Sequence, residues 1–222
     1  MRRFCSVLLV GGILGWSAGP GRTQDSQLTK QEKAQGWKML FNGTDTAGWA
    51  NREKDTVSNW GAEDGALVLK KPNGGDIVFV AEQFENFELS LDWKAQGNSG
   101  VFVRMSDQKD WLNTGLEIQI LPKRGTTVHS TGALYDLVAP AAVATVKEDD
   151  WNNFHIVCRG PLVSCRMNGV ETFRIDLRDE KWKRPQEKFK LPYATLPRQG
   201  WIMLQDHGDV VAFRNIRIKP LP

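Results

Sequence analysis

Three stretches near the middle of the chain alternate apolar and polar residues with a period of two, and a period of two is the signature of a strand rather than a helix. In FELSLDWK (87–94), Leu89, Leu91 and Trp93 share one side and Glu88, Ser90, Asp92 and Lys94 the other. In VFVRM (101–105), Phe102 and Arg104 stand opposite Val101 and Val103. In LEIQIL (116–121), Leu116, Ile118 and Ile120 stand opposite Glu117 and Gln119. A strand with one apolar and one polar face belongs to an antiparallel sheet whose far side meets solvent or ligand. The same pattern returns in GWIMLQDHGDVVAFRNIRIK (200–219), where two β runs, 201–205 and 210–218, flank a polar corner. There Trp201, Met203, Gln205 and His207 fall on one face, opposite Ile202 and Leu204. Turn signals at Asp64-Gly65 and Asn168-Gly169 predict hairpins, and 151–159 with 163–168 predicts another. No long helical periodicity and no internal repeat interrupts the series. Many short strands spaced by ~8–12 residues predict an all-β sandwich or barrel.

The first residues read differently. Arg2 and Arg3 precede an apolar run over 4–18 and then Gly19-Pro20-Gly21, the layout of a secretory signal peptide spanning 1–24. Such a run is too short and too rich in glycine to span a membrane. Export to the periplasm or the extracellular space follows as the expectation. A polar lead-in over 25–35 holds a capped helical turn, with Thr29 at its start and Gly36 after it, and a single domain over 36–222 follows. Losing 1–24 removes Arg2, Arg3 and Arg22 and no acid, so 29 Lys+Arg fall by three to match the 26 Asp+Glu. A mature chain near neutrality gives no electrostatic reason to bind nucleic acid or an anionic membrane.

Nine Trp in 222 residues is the compositional excess. Trp offers an apolar face together with a donor, which suits both a core and a sugar-binding surface. Cys158 and Cys165 are symmetric about a turn at Pro161-Leu162, which would set them opposite each other within reach of a disulfide in an exported protein. Beyond residues 1–24, whose Gly15-Trp16-Ser17-Ala18-Gly19 falls within the signal-peptide stretch, no GxSxG, HExxH, glycine-rich phosphate loop or zinc-spaced Cys/His cluster is present. The three histidines, His129, His155 and His207, would all have to converge to form a histidine metal site. His155 reads as a surface residue of its strand, and His129 has no evident partner. The remaining candidates are Arg104, Glu117, Gln119, Gln205 and His207, polar groups on the non-core faces of several strands. Adjacent strands would gather them on one concave surface, with a fork of donors, an ionisable base, orienting amides and a proton carrier.

The blocks GWKMLFNGTDTAGW, NSGVFVRM, LEIQIL, TGALYDLVAP, WNNFHIV, MNG and GWIMLQDHGDVVAFRNIRIK occur in that order from Gly36 to Leu221. In that order they resemble the 3-keto-disaccharide hydrolase family, formerly a domain of unknown function. One departure is Leu116, where the family often has an aromatic residue before the Glu of its Glu-x-Gln segment. The resemblance implies a concanavalin-A-like jelly roll, a β-sandwich of two antiparallel sheets with a concave ligand face. It also implies an exported enzyme acting on 3-keto-glycosides and 3-keto-disaccharides made by a separate sugar 3-dehydrogenase. A ketone at carbon 3 acidifies the proton on carbon 2, so a base can remove it, the enolate can expel the group on carbon 1, and water can add to the product. On this reading Glu117 or His207 is the base, Arg104 meets the oxyanion, and Gln119, Tyr135 and Gln205 orient the sugar. A divalent cation could replace or assist Arg104. The rival expectation is a lectin-like carbohydrate-binding module without catalysis, because the same fold serves both.

Overall fold

The computed structural model describes residues 27–57, 59–123 and 125–222. The signal peptide read over 1–24 lies outside the described residues. The lead-in forms helix α1 (Lys30–Ala34), closed by a capping box: Glu32 N donates to Thr29 Oγ1 at 3.1 Å, and Thr29 N donates to the Glu32 carboxylate at 2.8 Å. Gly36 then leaves the helix at φ 85°.

Strands β1 (Lys38–Met39), β2 (Trp49–Asn51), β3 (Trp60–Glu63), β4 (Ala66–Leu69), β5 (Ile77–Phe79), β6 (Phe87–Ala95) and β7 (Ser99–Met105) come next. Helix α2 (Trp111–Thr114) precedes β8 (Leu116–Ile120), β9 (Asn152–Arg159), β10 (Leu162–Met167) and β11 (Val170–Asp176). Short 3₁₀ turns at Glu180–Lys183 and Tyr193–Thr195 punctuate an excursion before β12 (Trp201–Leu204) and β13 (Val211–Pro220). The strands form two antiparallel sheets. One runs β11-β10-β9-β6-β13-β4-β3, with β1 also paired to β13, and the other runs β2-β5-β12-β7-β8. The two-residue turns between β3 and β4 and between β10 and β11 need positive φ at both positions. Asp64 (49°) with Gly65 (75°), and Asn168 (48°) with Gly169 (84°), supply it.

The core lies between the sheets. Leu89, Leu91, Trp93, Phe154 and Phe213 from one sheet meet Val101, Val103, Ile118, Ile202 and Leu204 from the other, all fully buried. Trp93 packs on Phe154 with ring centres 5.4 Å apart. Trp49, Trp60, Trp93 and Trp182 are buried. Trp37, Trp111, Trp151 and Trp201 are half-buried.

β12 and β13 belong to different sheets, so the polar corner between them steps from one layer to the other. One feature departs from the sequence reading. Cys158 and Cys165 are both buried as free thiols. The turn centres on Gly160-Pro161, one residue earlier than expected, so Cys158 faces Val163 and Cys165 faces Ile156. Diagonal neighbours in a sheet sit ~7–8 Å apart, beyond disulfide reach. Burial pushes both thiols up to about 12.

Candidate active site

The outer face of the five-stranded sheet, which alternation assigned to the polar residues, carries a cavity of about 300 Å³. Glu117 lies at its floor, on β8 between two core residues, and is 7% exposed. Its carboxylate rests over Gly100 of β7, where a Cβ would sit only 2.5 Å from Glu117 Oε1. A glycine is what lets the carboxylate lie flat on the neighbouring strand. Among the described residues no hydrogen bond reaches that carboxylate. Burial pushes its pKa up to about 8, with Lys188 pulling the other way and Asp76 and Asp136 adding to the rise.

Two amides lie beside it. Gln119 donates from Nε2 to Asn98 Oδ1 at 2.8 Å, while its Oε1 is buried without a protein partner. Gln205 Oε1 is likewise buried and unpartnered. An unpaired buried acceptor costs ~1–3 kcal/mol, so two of them beside one cavity mark a place shaped for donors.

The polar corner is held rigidly. Gln205 N donates to Gly100 O at 3.0 Å, and Ser99 Oγ donates to Gln205 O at 2.8 Å. The loops carrying Asp76 and Asp206 exchange bonds: Asp206 N donates to Asp76 Oδ1 at 3.1 Å, and Gly75 N donates to Asp206 Oδ2 at 2.9 Å. Burial raises the Asp76 carboxyl against the pull of the Asp206 amide and Arg52. His207 follows directly, exposed at the cavity edge.

The opposite wall comes from loops. The segment after β8 folds back along that strand, with Tyr135 N donating to Glu117 O at 3.0 Å. Lys188, from the excursion before β12, donates from Nζ to Tyr135 Oη at 3.1 Å and pairs with Asp136 Oδ2 at 2.8 Å. Two anchors set its position: Phe189 is buried, and Lys190 N donates to Asn113 Oδ1 of α2 at 2.8 Å. Trp111 of α2 forms a further wall, edge-on to Phe102 at 5.1 Å.

Of the residues singled out in the sequence, Glu117, Gln119, Tyr135, Gln205 and His207 line this cavity together. Arg104 does not join them. Its Nε and Nη2 donate to Glu85 O at 3.0 and 2.7 Å, and its Nη1 donates to Gly160 O at 2.7 Å. The reason is local. β7 carries an extra residue against β12, Arg104 takes φ 54° there, and Met105 rejoins Phe102 on the outer face. The guanidinium therefore ties the strand to two neighbouring loops. His129, which had no evident partner, pairs with Asp136, and His155 bonds Glu88 at 3.1 Å on the outer face of the larger sheet. Lys188, Asp76, Asn98 and Trp111 escaped the sequence reading. Among the described residues no three His, Cys, Asp or Glu side chains gather as a metal-binding group.

Comparison with known proteins agrees with this architecture. The model of the 3-keto-alpha-glucoside-1,2-lyase-like domain matches residues 36–219. A 3-keto-disaccharide hydrolase of Bacteroides thetaiotaomicron is 32% identical over 85% of this chain and 79% of its own. Two crystal structures of Parabacteroides distasonis proteins, provisionally classed as glycosyl hydrolases, superpose well. The first has TM-score 0.77 and 29% identity over 90% of this chain and all of the other. The second has TM-score 0.71 and 32% identity over 83% of this chain and 99% of the other. The sandwich is thus a jelly roll of the kind found in glycosidases.

Proposed function

The chain belongs to the 3-keto-alpha-glucoside-1,2-lyase-like family, and on that premise we propose that it is an exported enzyme cleaving 3-keto-glycosides, including 3-keto-disaccharides. The observation that carries the reading is the Glu117 carboxylate, buried in a sugar-sized cavity beside two amides whose oxygens lack partners among the described residues. Export rests on the layout of residues 1–24, and the ketone is supplied by a separate sugar 3-dehydrogenase.

Glu117 takes the proton from carbon 2. The C–H electrons form the C2=C3 bond, and the C3=O π electrons move onto the carbon 3 oxygen, which becomes the enolate oxygen. The enolate then collapses: C3=O returns, C1=C2 forms, and the bond from carbon 1 to the leaving oxygen breaks. His207 at the cavity edge gives that oxygen its proton. Water adds its hydroxyl to carbon 1 and a proton returns to carbon 2, so the sum is hydrolysis. A base must be ionised to act, and general-base efficiency is greatest when its pKa lies near the working pH. A carboxyl held at about 8 meets both conditions in mildly alkaline medium. Gln119 and Gln205 accept from sugar hydroxyls through their free amide oxygens.

The test compares a 3-keto-glucoside with its unoxidised parent across pH. The 3-keto compound turns over, the parent does not, and kcat/KM climbs with pH through about 8. A rate that falls over the same interval removes Glu117 as the base. Binding without turnover of either compound removes the enzyme.

A further inference from the structure

The elimination just described needs a positive group where charge develops on the carbon 3 oxygen. Arg104 is occupied by the carbonyls of Glu85 and Gly160 and does not line the cavity. Among the described residues that line it, Lys188 is the only Lys or Arg. We infer that the Lys188 ammonium is the catalytic electrophile of this site, donating to the enolate oxygen as the Glu117 carboxylate takes the proton from carbon 2. The inference rests on the reading of the reaction given above.

Three observations support it. Lys188 Nζ is already directed by two fixed partners, Asp136 Oδ2 at 2.8 Å and Tyr135 Oη at 3.1 Å, so two of its donors are committed and one remains. It lies 4.4 Å from the Tyr135 ring centre, a face that favours the charged ammonium. Its ion-pair partner is Asp136 rather than Glu117, so the carboxylate and the ammonium line the one hollow without closing an ion pair across it. Behind it, His129 holds the other oxygen of Asp136, which makes Asp136 and His129 positioning residues.

The experiment uses Lys188→Met and Lys188→Cys, with deuterium exchange at carbon 2 of a 3-keto-glucoside read alongside turnover. Both variants are expected to lose ~10²–10³-fold in kcat and in exchange, with KM changed only a few-fold. Treating Lys188→Cys with bromoethylamine forms a thioether, releases bromide and places an ammonium one atom-exchange away from lysine. Activity should return to within ~10-fold of the wild type, because what is restored is the positive charge itself. Wild type is the control, since Cys158 and Cys165 are buried. A Lys188→Met variant with wild-type exchange, or a thermal midpoint loss that accounts for the defect with no rescue by alkylation, overturns the inference and leaves the Glu117 reading standing. Wild-type protein that neither exchanges nor cleaves any 3-keto sugar overturns both.

Discussion

Both sheets turn a polar face outward, and the two faces are used in opposite ways. On the eight-stranded sheet the outward carboxylates find partners: Glu88 takes bonds from Lys219 at 3.0 Å and His155 at 3.1 Å, and Asp92 takes them from Asn153 and Asn215 at 3.0 and 2.8 Å. Arg214 covers the Trp151 ring at 4.1 Å. On the five-stranded sheet the buried oxygens of Gln119 and Gln205 find none among the described residues, and no hydrogen bond from them reaches the Glu117 carboxylate. Burial pushes the Glu88 carboxyl up, but the Lys219 and His155 bonds outweigh it and leave it below its ordinary value, whereas Glu117 is driven to about 8. Two glutamates at equivalent places in a period-two pattern thus separate into one held by partners and one, proposed as the base, left without them. What distinguishes them is whether neighbouring side chains complete their bonding.

The strongest way to break this contrast is to treat the two alike. Glu117→Gln should lower kcat by ~10²–10⁴-fold while Glu88→Gln leaves it unchanged, measured as product release from a 3-keto-glucoside. Comparable activity losses in both would abolish the distinction. Next, Gly100→Ala should cut kcat ~10-fold or more, because its new Cβ occupies the space of Glu117 Oε1, with ~1–3 kcal/mol lost in denaturant unfolding.

The pH dependence of stability sharpens the same point. Glu117 binds its proton more tightly folded than unfolded, so between 4.5 and about 8 the folded state holds the extra proton and stability falls as pH rises. Glu117→Gln should remove that slope in thermal melts, whereas Glu88→Gln should not. The smallest effect is expected from Arg214→Ala, which should cost ~1 kcal/mol or less and nothing in turnover.

The faces of the strands were legible because alternation is a local property of the chain. Glu117, Gln119 and Gln205 fall where period two puts them, and the Asp-Gly and Asn-Gly turns are where their φ requirements put them. Two failures share a physical cause, a single residue of register. One additional residue in β7 carried Arg104 out of the row that Phe102 began. A turn centred one residue early moved Cys158 and Cys165 from opposed to diagonal. Lys188 had no signal, because it lies in a segment without strand periodicity whose path is set by where Phe189 and Lys190 dock. His129 gained Asp136 through a loop that folds back on β8, a contact no spacing rule anticipates.

The excursion that carries Lys188 is fastened by its own aromatic cluster, Trp182 against Tyr193 at 6.1 Å and Phe189 against Tyr193 at 5.7 Å. It hangs on the sandwich as a bracket bolted at those rings, while the carboxylate belongs to the masonry of the sheet. Proton affinity and positive charge are therefore inherited separately. Replacing the residues between Trp182 and Tyr193 would remove or move the Lys188 charge without disturbing a single rung of either ladder.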